Sequence, residues 1–449
     1  MIWLWITASL ILSYLPLINK KIDLAHYMWL LIPIDAYGIS IAGAVVKPYM
    51  VFALMLPIIL YAKNKGTDFD LSATKGQLLA GIISILIIVV NMINNKDSYT
   101  IKAAIMTFVV YICAQLYASS TDNKNREQLS DVFIATCFGY GIVYLIAHLC
   151  LTNNFNPGGL IATERSEDGL FMLMSNMNQG QYIQVLRLRG FSSDPNIMFV
   201  QFIFGICACV SRLMKKFNLY YALTFVISIV CILLSSSRMG LLCCIVSIII
   251  TVLVTTSQIE NTRKKILSII SMLSICAGIL IVTITSWGQS FVSSLLSTYQ
   301  NRSRLTDEYG RFSIWKDCFK VYWEKDPLLG VGLGQMDNYT MTERMTHNTW
   351  LQFICECGVI VGTIAVLYFL GTMIIGWAKT GFQHKMDPNN TSYLSLVIGY
   401  TVTIISLMSV DNITCSYLWF GALLLLKMAS YVPKTDQQNI KVKTHPKSS

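Results

Sequence analysis

The chain has 449 residues, of which 54% are hydrophobic and only 13% charged. A soluble domain carries about a quarter charged residues, so this composition excludes one and describes a polytopic membrane protein. The formal charge of +10 is spread over short loops, where it reads as orientation in a bilayer and as affinity for anions; nucleic acid is not an expected partner.

Taken in order, the apolar stretches predict about 12–13 transmembrane helices, an all-α polytopic fold. The predicted spans lie near 2–18, 27–45, 48–62, 77–95, 102–119, 131–151, 196–213, 218–235, 239–256, 266–286, 348–376, 392–410 and 412–430. The first has no basic stretch before it and no small-residue cleavage site after it, so it is expected to stay as an anchor. The second is interrupted by Pro33, Asp35 and Gly43, and either crosses or re-enters. The parts are then N-terminal helices (1–151), a first large loop (152–195), central helices (196–286), a second large loop (287–347), C-terminal helices (348–430) and a basic tail (431–449).

Basic clusters alternate with poorly charged links: Lys20/Lys21, Lys63/Lys65/Lys75, Lys124/Arg126, Arg212/Lys215/Lys216, Arg263/Lys264/Lys265 and Lys379/Lys385. Placing all of them, with the tail, in the cytoplasm puts both large loops outside. Eight of the eleven arginines then lie on the outer side: Arg165, Arg187, Arg189, Arg238, Arg302, Arg304, Arg311 and Arg344. Positive-inside topology predicts the reverse. A planar guanidinium grips phosphate or carboxylate with two parallel bonds, so an anionic ligand at the outer face accounts for the excess. Pairing with Asp168, Glu308 or Glu343 is the competing account for some of them.

The second loop is the longest hydrophilic stretch. Within it Phe312, Trp315, Phe319 and Tyr322 recur on one helical face and predict a short helix lying in the membrane interface. Pro327 and the Gly330–Gly334 run then turn the chain. That run is no nucleotide loop, because no strand–helix unit surrounds it. Arg238 stands alone at the end of two apolar spans and needs a partner or a cavity. Asp194-Pro195-Asn196 is helix-start chemistry. His347 opens the next helix beside Asn348 and is the side chain best suited by pKa to take a proton from a hydroxyl; capping or packing is its other reading. Glu356 is the second candidate base, or a residue that orients a neighbour. Cys355 and Cys357 have no second pair and read as small buried hydrophobes; no metal site is expected.

Five stretches occur in a telling order: RLRGFxxDPN (187–196), SSRMGLL (236–242), GRFSIW (310–315), PLLGVGLGQ (327–335) and HNTWLQFxxExG (347–358). Together they resemble the O-antigen polymerase and O-antigen ligase superfamily of bacterial surface-polysaccharide assembly, over roughly residues 185–375. The resemblance implies a multi-pass protein of the bacterial inner membrane whose active site faces the periplasm. It implies a metal-independent, cofactor-free, inverting glycosyltransferase of GT-C-like type acting on an undecaprenyl-diphosphate-linked oligosaccharide. Arg187, Arg238 and Arg311 would hold the diphosphate, and His347 would serve the acceptor hydroxyl. Arg189 has no clear counterpart in the family pattern; it, Asn348 and Glu356 are further candidates for contacting donor or glycan. Expected partners beyond the bilayer are a chain-length regulator and a flippase. Polymerase is the preferred reading, ligase the alternative, and a flippase or transporter the more distant one.

Overall fold

The computed structural model describes residues 1–41, 44–63, 73–94, 97–121, 127–155, 157–163, 167–178, 181–259, 310–340, 345–386 and 391–430, with the single positions 266, 289 and 293. The predicted span at 266–286, the basic tail, and Arg165, Arg302, Arg304 and Arg344 lie outside the described residues.

Among the described residues, seven helices are long and apolar enough to cross a membrane, and four shorter apolar helices join them. The protein is an all-α polytopic membrane protein. The core is α7 (Pro195–Lys215), nearly all of whose 18-residue window (94%) is buried. It is apolar on every side, as a helix must be when other helices surround it completely. Packed on it are α6 (Gln128–Thr152), α8 (Leu219–Leu234), α9 (Arg238–Ser257) and α12 (Thr391–Ser406). Glycines permit the close approaches: a Cβ at Gly205 would collide with the Cys137 sulfur, and one at Gly399 with the Phe204 ring. Beside this group stand α1 (Ile2–Tyr14), α3 (Pro48–Lys63), α4 (Lys75–Asn94), α5 (Ser98–Ser120), α11 (Thr349–Met386) and α13 (Ser416–Ala429).

The stretch predicted as a helical span at 27–45 is not one. It holds a four-residue helix, α2 (Met28–Leu31), and a hairpin of β1 (Ile39–Ile41) and β2 (Ala44–Val46). Residues 23–36 nonetheless run along most of α6. The Asp23 amide donates to Gln128 at the start of α6, Tyr140 donates to the Leu30 carbonyl midway, and the Ala36 amide donates to the Phe191 carbonyl, beside which Tyr144 sits. From Gln128 to Tyr144 is about 24 Å of helix. Pro33 has no N–H to continue a helix, and Asp35 needs its 2.8 Å ion pair with Lys47. An irregular chain is tolerated at this depth because it is buried in protein: Met28, Trp29, Ile32 and Ile34 are all at most 3% exposed.

The 152–195 loop contains strand structure that hydropathy did not reveal. β3 (Ile161–Ala162) runs parallel to β4 (Phe171–Asn178), which pairs antiparallel with β5 (Gln181–Leu188). In the second large loop, α10 (Arg311–Lys325) is the short helix expected there. Its aromatic face, however, is divided. Ile314, Cys318 and Tyr322 turn inward onto Val331, Met336 and Cys355, and the Tyr322 hydroxyl donates to the Pro327 carbonyl at 2.7 Å. Phe312, Phe319 and Trp323 face outward. The i, i+4, i+8 set wins the packed side because the Gly-rich run folds back under it.

Candidate functional site

The segments that carry the candidate residues meet at one end of the bundle, and α11 supplies its centre. Asn348, not His347, caps this helix: its Oδ1 accepts the Trp350 and Leu351 amides at 3.0 and 3.2 Å. The His347 side chain is therefore released from capping. Its backbone is left-handed, with φ of +47°, a conformation that is costly for a residue with a Cβ and is held only by surrounding contacts.

Those contacts come from Asp411, on the link between α12 and α13. Its Oδ2 accepts the His347 amide at 2.7 Å and lies 3.5 Å from His347 Nδ1. Its Oδ1 accepts the Asn348 amide at 3.1 Å and the Thr346 hydroxyl. The carboxylate is 3% exposed whereas the imidazole is 30% exposed. A buried anion thus holds one ring nitrogen of a histidine whose other edge remains accessible. In the sequence, Asp411 stands out only as one of three acids near apolar spans.

Arg311 opens α10 and is half-buried. Burial pushes its guanidinium below its ordinary range, while the charges of Asp194 and Asp411 pull it back up. It keeps its proton at any physiological pH. Both flanking carboxylates belong to the site: Asp411 holds His347, and Asp194 caps α7, accepting the Asn196 amide at 2.7 Å. Asn196 leads on to Arg238, because its Oδ1 accepts the Ser237 hydroxyl at 3.0 Å. Ser237 caps α9, and Arg238, its first residue, is exposed. A guanidinium at the positive end of a 20-residue helix is a poor place for a structural cation and a good one for binding an anion.

Arg187 and Arg189 are positioned differently. Arg187 is 2% exposed. Its Nε donates to the Ser235 carbonyl at 2.9 Å and a terminal nitrogen donates to Asn196 Oδ1 at 3.1 Å. It braces the turn that presents Arg238. Arg189 is 1% exposed and donates to the carbonyls of Gly169 and Glu167 and to the Tyr37 hydroxyl. It ties the irregular 24–37 segment to the 152–195 loop.

Glu356 is fully buried. Its Oε2 accepts the Gly334 amide and the Gln352 side chain, each at 2.9 Å. The Gly-rich run lies on a break in α11 at Gly358, where φ is +79°. Val331 and Gly332 donate to the carbonyls of Cys355 and Glu356, and Leu333 donates to Asn91 of α4. Every amide from Gly330 to Gln335 is spent on protein, so none is left to cradle a phosphate. Among the described residues no group of three or more His, Cys, Asp or Glu is placed to hold a metal ion.

Residues 223–367 match the family model described as O-Antigen ligase. The match covers about a third of the chain. The matched stretch runs from α8 through α9 and α10 to the body of α11, and so contains Arg238, Arg311, His347 and Glu356. It supports glycan-assembly chemistry of the ligase and polymerase kind in a multi-pass membrane protein. Asp411, Arg187 and Asp194 lie outside the matched stretch. No curated protein matches the chain.

Proposed function

We propose that the protein is a glycan polymerase of this superfamily, which moves a glycan from undecaprenyl diphosphate to a sugar hydroxyl of a second lipid-linked repeat. The observation that carries the reading is the His347–Asp411 pair, held next to the charge of Arg311. The acceptor hydroxyl donates its proton to the accessible nitrogen of His347 while its oxygen forms a bond to the anomeric carbon. The bond from that carbon to the diphosphate breaks, and the electron pair leaves on the diphosphate. Asp411 stabilises the imidazolium so formed, and Arg311 and Arg238 neutralise the charge that grows on the leaving group. Attack opposite the leaving group inverts the anomeric centre, and no metal is required in this scheme. The site is read as facing the periplasm of the inner membrane, on the basic-loop pattern. Arg187 acts here by holding the Arg238 turn, and Glu356 by anchoring the Gly-rich run.

The description of the matched family favours a second reading, transfer to a lipid A core. The two differ in acceptor. Purified protein given only a synthetic lipid-diphosphate repeat should produce a ladder of longer lipid-linked products if it is a polymerase. Absence of a ladder, with product appearing only when lipid A core is added, replaces polymerase by ligase.

A further inference from the structure

Glu356 lies one turn of α11 beyond Gln352, and the two side chains are joined: Gln352 Nε2 donates to Glu356 Oε2 at 2.9 Å. The same oxygen accepts the Gly334 amide, also at 2.9 Å. Both residues are closed off from solvent, Glu356 at 0% and Gln352 at 8% exposed. Yet each keeps one buried oxygen, Glu356 Oε1 and Gln352 Oε1, that accepts from no donor among the described residues. No cation among the described residues is within ion-pair distance of the carboxyl group. The charged groups that face it, Asp411 and Asp337, are anions.

An ionised carboxylate here would be a buried charge without a counter-charge, beside a second oxygen that can only accept; both conditions are costly. One proton removes both. A protonated carboxyl gains a single O–H donor, and the torsions next to the carboxyl and the amide are soft enough to turn that donor onto the neighbouring oxygen. We infer that Glu356 is a neutral carboxylic acid that closes a two-bond ring with the Gln352 amide: Gln352 Nε2–H donates to Oε2, and the carboxyl O–H on Oε1 donates to Gln352 Oε1. A bridging water would satisfy the two oxygens but leave the charge.

Glu356 is then a positioning residue and not a base, because its proton is turned to Gln352 and not to a substrate. Its side chain holds Gly334 and its carbonyl holds Gly332. That run supplies Val331 and Met336 to the cluster with Ile314 and Cys318 of α10, the helix that Arg311 opens. The acid–amide pair stands on burial and hydrogen bonding; its effect on turnover rests on the glycan-transfer reading above.

Infrared difference spectra of the full chain in proteoliposomes, native minus Glu356→Gln at neutral pH, should contain the C=O band of a protonated carboxyl. Gln352→Leu, which removes its acceptor, should move that band to higher frequency. Absence of the band, as for an ionised carboxylate bridged by water, or a band that Gln352→Leu leaves in place, overturns the inference. Transfer from a lipid-diphosphate repeat provides the second readout. Glu356→Gln replaces O–H by N–H as the donor to Gln352, so turnover should stay within about threefold of native, whereas Glu356→Leu should cost at least about tenfold. A loss in Glu356→Gln as deep as in Glu356→Leu, of turnover or of thermal midpoint, shows that the charge is needed and overturns the neutral acid. The band in a native protein that transfers no glycan supports the pair and removes the polymerase reading instead.

Discussion

Replacing Asp411 by Asn keeps the shape of the side chain and removes its charge, and the geometry defines the consequences. One carboxylate oxygen accepts the His347 amide and faces His347 Nδ1; the other accepts the Asn348 amide and the Thr346 hydroxyl. A side-chain amide has one oxygen. Whichever way the substituted side chain turned, its NH₂ would face a backbone N–H that the carboxylate accepts in the native protein. One orphaned buried donor costs about 1–3 kcal/mol. The bonds that remain fall from charge-assisted to neutral, at roughly half the strength, so local destabilisation of about 2–4 kcal/mol is expected. The chemical effect is larger: the imidazolium loses its counter-charge and the ring its orientation, and turnover should fall by about a hundred- to ten-thousandfold. Binding of the lipid-diphosphate donor, measured on the same purified protein, should change less than about threefold, because the arginines remain. Thr346→Val is the control. It removes one donor to the carboxylate and leaves the charge, and should cost less than about tenfold in turnover. Near-native turnover by Asp411→Asn, or an equal loss in Thr346→Val, would reduce Asp411 to a brace for the start of α11 and remove the pair from the mechanism.

The remaining expectations address other parts of the site. His347→Gln should be as inactive as His347→Ala, since an amide cannot take the proton; substantial turnover by the Gln variant in the same assay would leave departure of the diphosphate to the arginines alone. Arg238→Lys and Arg311→Lys should each lose roughly a hundredfold in turnover, about 3 kcal/mol, while the protein still accumulates in membranes; near-normal polysaccharide from Arg238→Lys would return that residue to a structural role. Gly358→Ala should lower the thermal midpoint of the purified protein sharply, because a Cβ there would stand 1.9 Å from the Leu328 carbonyl oxygen at a φ of +79°; an unchanged midpoint would show that the Gly-rich run can lift away from α11. Reporter fusions at Asn156 and Asp337 should read outside and those at Lys215 and Lys385 inside; a cytoplasmic signal at Asp337 would defeat the mechanism.

Much of this architecture could be read in one dimension because hydrocarbon imposes one-dimensional rules. A helix that must satisfy its own backbone in lipid needs a long apolar run, and α4, α5, α6, α7 and α9 were visible as such. The start of α7 was equally legible, since an Asp cap followed by Pro is local chemistry. Arg238 and His347 could be singled out because a charge or a titratable ring at the end of an apolar run is expensive and needs a reason, and Arg311 because arginines are in excess on the side assigned to the outside. The features that stayed hidden depend on contacts between distant residues. That residues 23–36 run along α6 without a spanning helix results from the packing of Trp29 and Leu30 on α6, more than a hundred residues away. That two candidate arginines are buried braces, while Arg238 is exposed, results from where Ser235, Asn196 and Gly169 come to lie. Asp411 reaches His347 across 64 residues, and nothing in a sequence pattern states that distance. Sequence by itself determined which residues are costly where they stand; the tertiary structure alone decided which of them are buried against protein partners and which stay accessible, because a charge finds its partner in space and not along the chain.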